Sequence, residues 1–342
     1  MLLPTEIKLG IVGLGRLGKI HADNLVRNVP GCRLIAACSV VPEELTFAKN
    51  SLQVTELYSS YDEMLASSSI DGVVIVSPSG FHVEQITKAI RKKLHVFCEK
   101  PIGLDIPEIE KVVDLIQEHP KQIFMLGFMR RYDDSYRYAK KLVDQGNIGE
   151  LSVIRCYGID PSSGMESFVK FAKASNSGGL FADMSIHDID LVRWFSKTEV
   201  KKVWALGKNA AYPELDEVGE LETGAAMLEL QDKTIALVVA GRNAAHGYHV
   251  ETELIGTKGM VRIANVPEKN LVTIYDEHGA IRPTSQDFPE RFKQAFISEM
   301  NEFVACIREK RQPEVTPLDG LEATKVAAAC KNSWQTNQLI DL

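Results

Sequence analysis

Asp183 and His187 are of types, and at a spacing, that could do chemistry. They lie within Leu180-Phe181-Ala182-Asp183-Met184-Ser185-Ile186-His187-Asp188-Ile189-Asp190, preceded by Ser177-Gly178-Gly179. Four residues apart on a helix, they stand on one face, one turn from each other. A carboxylate that orients an imidazole and raises its basicity makes a general acid–base unit. The same spacing also suits a purely structural hydrogen-bonded pair. A metal site is the third reading, but H-E-x-x-H is absent and no obvious third ligand lies nearby, so no metal is expected. Glu99-Lys100-Pro101 is a second feature. It follows the apolar run Leu94 to Cys98, which places Lys100 at a strand's carboxyl end, where open parallel sheets hold their ligands. A surface lysine in a turn is the ordinary alternative.

The third feature is Gly13-Leu14-Gly15-Arg16-Leu17-Gly18, a G-x-G-x-x-G sequence that directly follows a predicted strand and opens a predicted helix. In that context Gly13 makes a tight turn and Gly15 lets the backbone approach a pyrophosphate. Gly18 lets helix and strand pack closely, with the phosphates on the helix N-terminus. A carboxylate about twenty residues on ordinarily holds the adenosine ribose of NAD. Here the chain reads Cys38-Ser39-Val40-Val41, with no acid before Glu43. Ser39 can hydrogen-bond a 2′-hydroxyl without repelling a 2′-phosphate, and Arg16 could pair with such a phosphate. NAD and NADP both remain open at this point.

These residues need elements to position them. Ile7 to Gly13, Arg33 to Val40, Gly72 to Val76, Leu94 to Cys98 and Gln122 to Leu126 are uniformly apolar runs. They alternate with helix-like segments at Lys19 to Val29, Glu43 to Asn50, Ser60 to Ala66 and His82 to Lys92. That alternation predicts a parallel sheet covered on both faces, a doubly wound Rossmann-type α/β domain. After a helix at Asp134 to Gln145 the texture changes. Strand-like segments recur at Leu151 to Tyr157, Lys201 to Gly207, Glu222 to Leu230, Lys233 to Gly241, His249 to Gly256, Met260 to Ile263 and Leu271 to Tyr275. Asp232-Lys233 reads as a hairpin turn. This half is expected to be an α+β domain with a largely antiparallel open sheet, closed by helices at Pro289 to Lys310 and Leu318 to about Gln338. The expected division is residues 1–128 for the dinucleotide and residues 129–342 for substrate and assembly, with the C-terminal helix able to pack back on the first domain.

Bulk properties set limits. The 342 residues carry 39 Lys and Arg against 46 Asp and Glu, a net charge of −7, which argues against a protein built to grip nucleic acid. With 45% hydrophobic and 25% charged residues, the composition is that of a globular protein. The longest apolar runs are too short to cross a bilayer, and no secretory signal is evident, so a cytoplasmic protein without membrane partners is expected. The six cysteines form no C-x-x-C pair and read as buried thiols in a reducing compartment.

Taken together, the motifs resemble the Gfo/Idh/MocA oxidoreductases, and within them the inositol 2-dehydrogenases. The resemblance runs over the whole length. It rests on the glycine loop followed by Lys19-Ile20-His21-Ala22, on Cys98-Glu99-Lys100-Pro101, on Gly127-Phe128-Met129-Arg130-Arg131-Tyr132-Asp133, and on Gly178-Gly179 with Asp183 and His187. It implies a Rossmann domain and an α+β domain whose open sheet carries the substrate pocket on one face and a subunit interface, commonly of a homotetramer, on the other. Lys100-Pro101 matches the family's cis peptide. By the same resemblance, His187 is the base, Asp183 orients it, and Lys100 bonds the reacting oxygen. Gly13, Gly15, Arg16, Leu17, Gly18, Ser39, Ser77, Pro78, His82, Glu99 and Lys100 would face the cofactor. Met129, Arg130, Asp160, Met184, His246 and Tyr248 would join Lys100, Asp183 and His187 around a cyclic polyol. The expected reaction is NAD(P)-dependent oxidation of a secondary hydroxyl of myo- or scyllo-inositol to the ketone. Another sugar or polyol is the nearest alternative. A non-catalytic dinucleotide-binding regulator is the other class, and it would be expected to lose Lys100 or His187; this chain retains both.

Overall fold

The computed structural model describes residues 6–174, 178–264 and 266–342. Ser177, read above with the two glycines, lies outside the described residues. The chain divides into two compact units: Met1–Tyr132 with Gln294–Glu322, and Asp133–Lys293 with Ala323–Leu342.

The first unit alternates strand and helix: β1 Ile7–Val12, α1 Arg16–Arg27, β2 Cys32–Cys38, α2 Pro42–Leu52, β3 Glu56–Tyr58 and α3 Tyr61–Ser67. It continues with β4 Gly72–Ile75, α4 His82–Arg91, β5 His95–Glu99, α5 Ile106–Gln117 and β6 Phe124–Gly127. The sheet order is β3-β2-β1-β4-β5-β6, parallel throughout. Leu9, Ile11, Val73 to Ile75 and Val96 to Cys98 are fully buried, as strands covered on both faces require. The order reverses between β1 and β4, so the carboxyl ends of those strands flank the crevice in which such sheets bind ligands. The expected strands agree with the observed ones to within one or two residues. The short β3 and the helix α5 add to them, α5 starting on the Asp105 cap, whose side chain accepts the Glu108 N–H.

In the second unit come α6 Asp134–Asp144, β7 Leu151–Pro161, α7 Met165–Ala174 and α8 Ile186–Ser196. Next are β8 Val200–Lys208, β9 Thr223–Leu230, β10 Ile235–Ala244, β11 His249–Gly256 and β12 Gly259–Ile263. A small hairpin, β13 Ile274–Asp276 with β14 Gly279–Ile281, and the edge strand β15 Ile340–Asp341 complete the strands. The large sheet runs β12-β11-β7-β10-β9-β8-β15. It is antiparallel except for β7 and β10, which run parallel side by side. Lys233 turns between β9 and β10 at φ 73°, as the Asp232-Lys233 reading expects. The strand expected at Leu271 to Tyr275 starts later, at Ile274, and the helix expected from Pro289 to Lys310 is interrupted at the buried Phe292.

Alternation gives this sheet two unlike faces. Ile154, Cys156, Val250, Thr252, Leu254, Ala236 and Ala240 point to the helix-covered face and are buried; there the Tyr136 hydroxyl of α6 meets Thr252 at 3.2 Å. The opposite face carries Tyr157, Trp204, Leu206, Met227 and Leu237, and Trp204 and Met227 are 40% and 47% exposed. No helix among the described residues is long and apolar enough to cross a membrane.

Candidate active site

The glycine loop comes straight off β1. Gly13 adopts φ 87°, and a side-chain carbon there would sit 2.5 Å from the Val76 carbonyl oxygen. Its N–H donates to the Cys38 carbonyl at 2.9 Å, which ties the loop to the end of β2. Gly18 is packed harder still, since a Cβ would meet the Gly13 oxygen at 2.1 Å. Gly15 differs: a Cβ would touch nothing within 4 Å, and the residue caps α1 with no side chain accepting the helix's first N–H groups. The first turn of α1 holds no acidic residue, and Arg16 and Leu17 follow there, Arg16 exposed. Open space at the positive end of a twelve-residue helix suits an anionic group lying close to the backbone. The residues present therefore fit a dinucleotide pyrophosphate.

At the end of β2, Ser39 is buried and donates its hydroxyl proton to Glu44 at 2.6 Å. Sequence order alone hides that neighbour, because Glu44 belongs to the first turn of α2. After β4, the half-buried Ser77 donates to Gln85 at 2.6 Å, and Pro78 is exposed. His82 is buried with Nε2 2.8 Å from the Ser77 carbonyl and Nδ1 2.7 Å from the Pro101 carbonyl. Burial pushes its pKa down. The imidazole thus braces the loops after β4 and β5, and what it offers a ligand comes through the backbone it holds.

Glu99 ends β5 and is buried. Its Oε1 lies 2.7 Å from His21 Nε2, and its Oε2 accepts the Lys100 N–H at 3.2 Å. The neighbouring Gly127 leaves room for this carboxylate, which a Cβ there would meet at 3.0 Å. Glu299 completes a buried trio, its Oε1 4.0 Å from His21 Nε2, with Phe97 and Phe296 against the imidazole. Burial, and then the Glu99 charge, push the Glu299 carboxyl well above the usual carboxylate range. The three donor atoms lie within 4.8 Å of one another, a set of the kind that takes a divalent ion. Yet His21 and Glu99 at 2.7 Å are closer than the roughly 3.3 Å between two donors on a tetrahedral ion, so the pair closes on itself. Lys100, half-buried, follows Glu99 through to a cis bond with Pro101. Met129 and Arg130, after β6, are 5% and 3% exposed.

In the second unit, Gly178 and Gly179 take φ of 84° and 95° and lead into a single π-helical turn, Phe181–Ser185, that runs on into α8. Asp183 and Met184 are on that turn and His187 is in the first turn of α8, all three half-buried. A wider π turn still carries a residue four positions on back to the same side, so the expected common face is retained. Arg242, absent from the sequence reading, holds Asp183: its Nη2 donates to Oδ2 at 2.9 Å while the guanidinium lies 3.8 Å from the Phe168 ring of α7. Arg242 is 6% exposed, a buried charge anchored by a carboxylate and an aromatic face. Asp160 emerges at the same end of the parallel β7–β10 pair, one residue past the Ile159–Gly241 register position. The signal for Arg242 was a lone cation closing the apolar run Ile235 to Gly241.

Tyr248 is buried, its N–H on the Ser285 carbonyl at 3.0 Å and its ring edge-on to Phe292. His246 is exposed and meets His249 at 3.2 Å; His249 stacks on Tyr157 and reaches Glu251 at 3.1 Å. His249 faces Ile159 across the strands and so belongs to the sheet face opposite Asp160. The structure therefore groups Asp183 and Arg242 directly, with Met184 and His187 on the same helical run and Asp160 at the same strand ends. It gathers His246 with His249 instead.

Comparison with known proteins fits this geometry. Residues 7–128 match the model of an oxidoreductase family with an NAD-binding Rossmann fold, and residues 136–262 match the GFO/IDH/MocA C-terminal domain. A crystal structure of scyllo-inositol dehydrogenase from Lactobacillus casei with bound NAD(H) and scyllo-inositol is 60% identical, covers 98% of this chain and 99% of that one, and superposes with a TM-score of 0.96. Myo-inositol 2-dehydrogenase from Lactobacillus plantarum is 48% identical, with coverage of 98% and 99% and a TM-score of 0.97. The scyllo-inositol 2-dehydrogenase (NAD(+)) of Bacillus subtilis is 30% identical over 98% of this chain and 96% of its own length.

Proposed function

The chain belongs to the Gfo/Idh/MocA oxidoreductase family, and from that premise we propose that it oxidises a secondary ring hydroxyl of inositol to the ketone with NAD as hydride acceptor. The observation that carries this reading is the 60% identity, over nearly all of both chains, to an enzyme crystallised with NAD(H) and scyllo-inositol. That identity exceeds the 48% to the myo-inositol enzyme, so scyllo-inositol is the first substrate to offer.

NAD, when bound, accepts the hydride from the carbinol carbon. His187 takes the hydroxyl proton as the carbonyl forms, and the Lys100 ammonium donates a hydrogen bond to the oxygen as it gains negative character. Asp183, held by Arg242, keeps a fixed acceptor for a substrate hydroxyl and for orienting His187. Gly13, Gly15, Arg16, Leu17 and Gly18 take the pyrophosphate, Ser39 the adenosine side, and Ser77, Pro78, His82 and Glu99 shape the nicotinamide side. Met129, Arg130, Asp160, Met184, His246 and Tyr248 complete the polyol set, of which Met184, next to Asp183 in the chain, and Asp160, at the strand end from which Arg242 follows, have the clearest support. This division assigns residues 1–128 to the cofactor and residues 129–342 to substrate and assembly.

The exposed apolar face of the large sheet supports a homotetramer. Tyr157, Trp204, Leu206, Met227 and Leu237 line an apolar cleft of about 300 Å³ there, with Trp204 and Met227 exposed, a face that a partner subunit would cover. Six free, buried cysteines support a reducing, cytoplasmic setting. Absorbance at 340 nm with NAD⁺ and scyllo-inositol, myo-inositol or simple sugars tests the reaction, and no reduction with either inositol sinks it. Light scattering after size exclusion tests the assembly.

A further inference from the structure

The second strand ends without the carboxylate that ordinarily meets an adenosine ribose, yet another element brings one to the same place. The last residue of β2, Cys38, accepts the Gly13 N–H at 2.9 Å, so Ser39 begins directly beside the glycine turn. Its hydroxyl is committed on both sides: it gives its proton to Glu44 Oε2 at 2.6 Å and accepts the Val41 N–H at 3.1 Å. Ser39 is thus less an independent ligand than a clamp. What it clamps is half-buried, in the first turn of α2, where the helix dipole favours a negative charge.

We propose that Glu44, fixed by Ser39, decides which dinucleotide the enzyme takes: its carboxylate accepts from a ribose 2′-hydroxyl and repels a 2′-phosphate. This rests on the NAD-binding role of the glycine loop given above. A carboxylate from α2 thereby does the work of an acid on β2 itself. Arg16 is the opposing charge, since a guanidinium at the start of α1 attracts a 2′-phosphate. Arg16 is exposed and screened by solvent, whereas Glu44 is held at one place by a short hydrogen bond, so Glu44 prevails. The rival account is that Glu44 merely completes the N-terminus of α2, whose cap residue Val41 has no side-chain hydrogen bond to offer.

Fluorescence titration of the full-length protein with NADH and with NADPH, at one ionic strength, separates the two accounts. The wild type is expected to bind NADH at least about tenfold more tightly than NADPH. Glu44→Gln keeps the size and the Ser39 contact but not the charge. It should weaken NADH a few-fold and tighten NADPH by about tenfold or more. Ser39→Ala, which frees the carboxylate without removing it, should move the ratio the same way by less, and it carries the test if Glu44→Gln does not fold. An unchanged NADPH-to-NADH ratio in the folded variants overturns the proposal and leaves Glu44 as a helix cap. Failure of the wild type to bind NADH at all would overturn the reading beneath it instead.

Discussion

Replacing Glu299 by glutamine should change how stability depends on pH. The Glu299 side chain is fully buried, and neither carboxyl oxygen has a hydrogen-bond partner among the described residues. Burial first, and the Glu99 charge second, raise its pKa well above the ordinary value. In the unfolded chain a glutamate ionises near about 4.3. Between that value and the raised folded value, the native state holds one proton that the unfolded state has released. The stability tied to that proton is therefore fully present below the unfolded pKa and is lost as pH rises toward the folded one, at about 1.4 kcal/mol per pH unit. Glu299→Gln carries no such proton. From about pH 5 upward the variant should accordingly gain on the wild type as pH rises, by at most about 1.4 kcal/mol per pH unit. Urea unfolding of both proteins across that range, followed by circular dichroism, reads the difference directly. A constant offset between the two would refute the reasoning, because it would mean that Glu299 is already ionised in the fold.

Four further outcomes follow from the site. Gly15→Ala should leave the melting temperature nearly unchanged yet weaken NADH by about tenfold or more. Gly18→Ala, facing the Gly13 oxygen at 2.1 Å, should destabilise the first unit, and equal melting losses in the two variants would contradict their assigned roles. Arg242→Met removes a charge-assisted hydrogen bond worth about 1.5–3 kcal/mol at most. Because the Asp183 side chain is 37% exposed, water recovers part of this, so kcat should fall about tenfold with NADH affinity unchanged in a parallel titration. His187→Ala should lower kcat by at least about a hundredfold at neutral pH without altering NADH binding, and near-normal turnover would assign the base elsewhere.

The parallel strands were legible because residues such as Val73, Val74 and Val96 must be apolar on both faces, which leaves an unbroken apolar run in the sequence. The glycine motif was legible because each of its three glycines answers a different local demand. Glu44 and Arg242 were not, for a shared physical reason: each acts through a partner that the fold, and not the local sequence, selects. Ser39 and Glu44 are five residues apart across a strand end and a helix start, a spacing with no periodic signature. Arg242 and Asp183 are 59 residues apart and meet only because β10 and the π turn pack together. The π turn itself was invisible, since its residues, Phe181 to Ser185, have the pattern of an ordinary helix. Met165–Ala174 escaped as well, although its Phe168 provides the ring beneath Arg242.

The parallel β7–β10 pair has a consequence for how this scaffold can change. Neighbouring strands that run the same way deliver their carboxyl ends to one rim, and here the connections leaving that rim begin at Pro161 and just after Ala244. Those connections can lengthen, shorten or exchange residues without disturbing the ladder that runs from Ile235 opposite Val153 to Gly241 opposite Ile159. On the proposed site, selectivity among ring polyols is thereby separable from foldability. New substrates are best sought by varying the two rim loops together, with Asp183, His187 and Arg242 left in place.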